Sequence, residues 1–138
     1  MNAGNAERNF GGNDKKLRRL TDGLLKELGV RGASAAVFLL DGRKLAQIKR
    51  KYTGEKPKKA VDVLAFPEVA GFPNPEGGKR FLGEIYINRA IAGREPARAR
   101  LLLVHGLLHL LGYTHDKKSD TLRMQRKEGE LLSSIPKP

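Results

Sequence analysis

His105, His109 and His115 are the only histidines of this chain, and all three fall within the stretch HGLLHLLGYTHD, residues 105 to 116. Neutral imidazole is the commonest nitrogen ligand for transition metals, and it also exchanges protons near neutral pH. Four residues make about one helical turn, so His105 and His109 share a helix face. Six further residues on a continuous helix would turn His115 by about 600°, roughly 120° off that face. The helix must therefore end before it. Gly112 supplies the stop, because glycine accepts the left-handed conformation that follows a helix terminus.

Three neutral imidazoles in this pattern give three facial ligands and leave a fourth position for water, as in catalytic rather than structural zinc sites. With no anionic ligand, the cation lowers the pKa of a bound water strongly, to about 7 in the favourable zinc case, and attracts anions such as phosphate. One Zn2+ ion is the default for nitrogen ligands, and nickel, copper or iron would also accept them. The competing reading is three packed histidines with no metal. A leucine-rich helix that presents two imidazoles one turn apart would then desolvate both without compensation, which favours the metal. The residue after His105, where peptidases of the HExxH type carry a glutamate base, is Gly106, and it can do no acid or base chemistry.

Several elements must position this segment. Leu17, Leu20, Leu24, Leu25 and Leu28 recur at helical spacing between possible caps at Asn13 or Asp14 and a stop at Gly29. ASAAVFLL (33 to 40) reads as a buried strand, and Asp41 can cap a second helix with Leu45, Ile48 and Tyr52 as its apolar positions. VDVLAF (61 to 66) and RFLGEIYIN (80 to 88) read as strands. Between them, residues 67 to 79 carry three prolines and three glycines and read as an irregular surface loop. Pro96 suits the first turn of the histidine helix, whose leucines lie around its whole circumference and predict burial. A last helix is expected over roughly 118 to 132. The order indicates one α/β domain around a small sheet over residues 1 to 138, with a flexible or weakly ordered start at 1 to 12.

A net charge of +12 on 138 residues repels itself unless a polyanion is nearby, which points to nucleic acid. Aromatic residues make up only 6% of the chain, and no stacking motif stands out, so binding is expected to be chiefly electrostatic. The absence of cysteine excludes disulfides and thiolate metal sites and fits a reducing compartment. The start MNAGNAERNF lacks the apolar core of a secretory signal, and the longest apolar run falls short of the roughly 20 residues that span a bilayer. A cytoplasmic location without membrane contact is the expectation.

The histidine segment resembles the YbeY family of rRNA maturation endoribonucleases, whose hallmark is HGxLHLxGYDH; the chain reads HGLLHLLGYTH. VDVLAFP (61 to 67) is similar to the family's TDVLSFP, and LGEIYI (82 to 87) to its LGDIxI. The resemblance implies a zincin-like α/β (α+β) fold with a mixed, roughly four-stranded sheet and one zinc on three histidines. It further implies single-strand-specific endoribonuclease activity in maturation of the 16S rRNA 3′ end, on or near the small ribosomal subunit. Three positions depart from the pattern. Thr53 stands where the family has an arginine after tyrosine, Thr114 replaces the aspartate before the third histidine, and Val61 replaces a threonine. Arg50, Lys51 or Lys59 can substitute for that arginine, although a lysine lacks the planar fork that grips phosphate. Arg50, Lys51, Lys58 and Lys59 are the expected RNA contacts. Asp62 and Glu84 are the remaining carboxylates suited to proton transfer, beside Arg50 and a bound water. Asp116, with Thr114, is a candidate to orient an imidazole, or it caps the last helix. A non-catalytic RNA or pre-ribosome binding factor with a structural metal is the alternative function, and a metallopeptidase the third.

Overall fold

The computed structural model describes residues 11–30, 32–68 and 80–135. Helix α1 spans Gly11–Glu27, strand β1 Ala33–Leu40, helix α2 Gly42–Thr53, strand β2 Val63–Pro67 and strand β3 Arg80–Asn88. Helices α3 (Arg89–Arg94), α4 (Pro96–Leu110) and α5 (Lys118–Ser134) complete the order. α1 begins at Gly11, within the last two positions of the start expected to be flexible or weakly ordered. Asn13 and Asp14 accordingly sit inside the first turn rather than capping it. The rest of that start and most of the loop at 67 to 79 lie outside the described residues.

β3 is the middle strand of a mixed sheet of order β1-β3-β2, parallel to β1 and antiparallel to β2. Three strands are found among the described residues where the resemblance implies about four. Alternation along each strand divides the core in two. Val37, Leu39, Ile85 and Ile87 face one side with Leu24 of α1, Leu103 and Leu107 of α4, and Met124 and Leu131 of α5. Phe38, Leu40, Tyr86, Leu64 and Phe66 face the other, with Leu45 and Ile48 of α2. Burial on both faces explains why β1 is apolar from Ala35 to Leu40 without alternation.

Asp41 caps α2 as expected, its Oδ1 accepting from the Lys44 N–H at 2.8 Å. The strand expected from Val61 begins at Val63 instead, and Asn88 is the reason. At the end of β3 its N–H donates to the Asp62 carbonyl at 2.8 Å and its side-chain amide donates to the Val61 carbonyl at 3.1 Å. Those two residues are thus tied to a buried asparagine rather than to a ladder. Asn88 then caps α3 by accepting from the Ala90 N–H at 3.0 Å. α4 carries its proline in the first turn and buries Leu103, Val104, Leu107, Leu108 and Leu110, whereas Leu101 is 40% exposed, which departs from the burial expected around the whole circumference. Among the described residues no helix is long and apolar enough to cross a membrane.

Candidate metal centre

α4 presents His105 and His109 one turn apart, with their Nε2 atoms 3.0 Å from each other. His115 joins them, so that one ligand atom from each ring lies within 4.8 Å of the others. The opposite nitrogens are occupied. His105 Nδ1 lies 2.9 Å from Oε2 of Glu128, a carboxylate on α5 whose side chain is only 12% exposed. The Tyr113 backbone lies beside the His109 ring, where it favours a protonated ring nitrogen. These neighbours favour the proton on the far nitrogen of each ring and turn two Nε2 lone pairs toward one point.

Two lone pairs so placed repel unless a cation or a proton lies between them. Burial, followed by the nearby His105 and His115 rings, lowers the pKa of His109 below the usual imidazole value, which favours the neutral ring that a metal needs. Two imidazoles on one tetrahedral zinc stand about 3.3 Å apart, given nitrogen distances of roughly 2.0–2.1 Å. The residues present therefore fit a transition-metal dication.

The turn after α4 builds two of these contacts at once. The Gly112 N–H bonds the His109 carbonyl at 3.0 Å, and the Tyr113 N–H reaches back to the Leu108 carbonyl at 2.9 Å. That pair of bonds is the Schellman arrangement, and Gly112 adopts the positive φ it needs, 98°. The turn delivers His115 and sets the Tyr113 backbone beside His109. A Cβ on Gly112 would meet nothing within 4 Å, so backbone strain alone opposes substitution. Gly112→Val is expected to lower stability by about 1–2 kcal/mol and to weaken metal binding at least tenfold, since a β-branched residue resists this conformation. Chemical denaturation and metal titration test this together. Unchanged metal affinity would contradict the role given to the turn.

Gly106 points away from the histidines and into the helix–sheet contact. A Cβ built there would stand 3.0 Å from Cγ2 of Ile85 on β3. The glycine is thus a packing requirement, and a glutamate in this position would be driven into the sheet.

The other expected site residues are dispersed. Asp62 is committed to an ion pair with Arg98, which also reaches Glu95 at 3.5 Å. Arg98 precedes His105 by seven residues on the same face of α4, about 10 Å along the axis. Asp62 therefore flanks the histidine face as the partner of a guanidinium. Glu84 is placed elsewhere. It alternates with Ile85, so it lies on the sheet face opposite α4, where it hydrogen-bonds the Tyr86 hydroxyl. Burial first, and Glu84 second, push the Tyr86 pKa up to about 12.

Thr114 and Asp116 are exposed. Thr114 lines a shallow cavity with Tyr113, Asp120 and Arg123, and Lys117 rather than Asp116 holds the cap position of α5. Arg50, Lys51, Lys58 and Lys59 are exposed at and beyond the end of α2. Thr53 closes that helix, donating its hydroxyl to the Lys49 carbonyl at 2.9 Å. Glu128 was not anticipated. A signal existed, because it falls four residues after Met124 and three before Leu131, both buried, and so is a carboxylate on the apolar stripe of α5.

A mixed three-stranded sheet packed against a buried helix, with two histidines on that helix and a third just beyond its end, defines a small α+β protein with a group of side chains that could hold a metal ion. The family model described as endoribonuclease YbeY matches residues 5–136, and the chain belongs to that family. Among its relatives, an endoribonuclease YbeY of Thermus thermophilus is 35% identical over 127 residues, covering 86% of this chain and 88% of the relative. One from an Anaeromyxobacter species is 34% identical over 125 residues, covering 85% of this chain and 62% of that longer protein. A solution structure of a Thermotoga maritima protein shares the fold, with a TM-score of 0.58 at 18% identity over 91% of this chain and 82% of its own.

Proposed function

We propose that this chain is a metal-dependent endoribonuclease that cuts ribosomal RNA, with unpaired segments near the 3′ end of 16S rRNA on the small ribosomal subunit as its substrate. The observation that carries the reading is the convergence of His105 and His109 Nε2, held by Glu128 and Tyr113, in a chain of this family with a charge of +12. His105, His109 and His115 would hold one zinc ion. That ion, when bound, supplies a Lewis acid for a phosphodiester oxygen and acidifies water.

The chain's own residues provide the rest. Glu128 holds the His105 ring in the liganding tautomer, and the Tyr113 backbone does so for His109. Arg50, Lys51, Lys58 and Lys59 neutralise phosphates along the bound strand. With Asp62 paired to Arg98 and Glu84 on the far face, neither carboxylate is placed to accept a proton at the centre. The test is incubation of the purified protein with small-subunit precursor RNA, with and without chelator, followed by analysis of the product ends. Metal-dependent cuts in unpaired segments support the reading. A 2′,3′-cyclic phosphate would indicate attack by the ribose hydroxyl, and its absence attack by water.

Thr53 favours a second reading, a non-catalytic RNA-binding factor, because its hydroxyl closes α2 where the family has an arginine. The chelator experiment separates the two. A peptidase is opposed by the packing of Gly106 against Ile85.

RNA affinity should fall steeply with salt in either case. Each neutralised phosphate releases counterions, with a slope of about 0.7 per contact in a log–log plot for single strands. Four such contacts give a slope near −3, measurable by anisotropy between 50 and 300 mM salt. A flat dependence would contradict phosphate-led binding.

A further inference from the structure

Tyr52 ends α2 with 74% of its surface open, more than any other large hydrophobic side chain among the described residues. It is nonetheless held from beneath. Its ring packs on Phe66 of β2 with centroids 4.8 Å apart, Phe66 meets Tyr86 edge-on at 5.7 Å, and Tyr86 stacks on Phe38 at 5.2 Å. This aromatic series runs from the core to the surface, so Tyr52 is anchored on one side while its exposed surface remains free.

The surroundings are strongly cationic. Residues 49 to 59 contain Lys49, Arg50, Lys51, Lys56, Lys58 and Lys59 against the single carboxylate of Glu55. All six cations are exposed. A supported aromatic face among lysines and arginines is the combination that binds single-stranded nucleic acid, the cations tracking phosphates while a base stacks on the ring. The patch is also tied to the metal centre through β2, an edge strand of the sheet. Phe66 carries Tyr52 on one face of that strand, and Val63 and Ala65 pack on the other into the core that contains α4.

We propose that Tyr52, flanked by Lys49, Arg50 and Lys51, is a stacking step for one unpaired base of the RNA. The inference rests on the RNA-cleaving reading and adds a specificity element to it, since a base inside a duplex has no free face to offer. It adds one stacking contact to binding expected to be chiefly electrostatic.

The test is an anisotropy titration of the full chain with two labelled RNA decamers of equal charge, one carrying bases throughout and one abasic at its central positions. Wild type should prefer the base-bearing strand. Tyr52→Phe should match it, whereas Tyr52→Ala should bind that strand about 5- to 150-fold more weakly and bind the abasic strand as wild type does. Equal binding of the base-bearing strand by Tyr52→Ala and wild type overturns the inference. So does an equal loss on both strands, which would assign Tyr52 a packing role only. If Tyr52→Ala fails to fold by circular dichroism, photo-cross-linking of wild type to 5-iodouridine RNA replaces it: a cross-link on the Tyr52 peptide supports the inference, and its absence from that peptide overturns it. Failure of wild type to bind either strand would instead overturn the RNA reading itself.

Discussion

His109→Ala is expected to abolish stoichiometric metal binding and RNA cleavage together, while RNA affinity should stay close to that of wild type. His109 stands between the other two ligands, its Nε2 3.0 Å from His105 and its ring centroid 5.1 Å from His115. Its loss leaves two ligands on a site that needs three, so the drop in metal affinity should exceed the roughly 10- to 100-fold that loss of an outer partner costs. The charge proposed to bind phosphate lies elsewhere, on the exposed Arg50, Lys51, Lys58 and Lys59, and is untouched. Equilibrium dialysis, a cleavage assay and an RNA titration on one folded preparation give all three readouts. Cleavage by the variant at the wild-type rate would remove the histidine centre from the mechanism.

Glu128→Ala is expected to have the next largest effect, a roughly 10- to 100-fold loss of metal affinity from a residue that is not itself a proposed ligand. The carboxylate lies 2.9 Å from His105 Nδ1, where it accepts that nitrogen's proton and thereby both orients the ring and makes its Nε2 a better donor to a metal. Without it the ring can rotate or adopt the other tautomer. Excess metal should restore cleavage to Glu128→Ala but not to His109→Ala, because only the second variant lacks a ligand. Glu128→Gln should fall between, since its amide oxygen still accepts the proton but carries no charge. A metal affinity equal to wild type in Glu128→Ala would show that packing of α5 on α4 alone sets the His105 ring.

The elements that hold the centre were legible because each carried a periodic or terminal signal. β1 and β3 have the bounds expected for them, and Pro96 and Gly112 mark the two ends of the histidine helix. α3 was missed, since six residues make under two turns and show no period that distinguishes them from a loop. Pairing across elements was not legible at all. No local pattern says that Arg98 will neutralise Asp62, thirty-six positions away, or that Glu128 will find His105. The face taken by Glu84 was hidden for the opposite reason. Its strand was correctly placed, but which face would meet α4 depends on the packing of Gly106 against Ile85, a contact between elements.

One measurement bears most directly on the claim that three imidazoles of this chain form a single cleaving centre. Metal-free protein is titrated with Zn2+ while X-ray absorption at the metal edge and cleavage of an unpaired ribosomal precursor RNA are followed on the same samples. The account predicts three imidazole nitrogens at about 2.0–2.1 Å and cleavage that rises linearly to a plateau at one equivalent per chain. A full set of three nitrogens with the RNA bound but uncut, there and with other divalent metals, would contradict it.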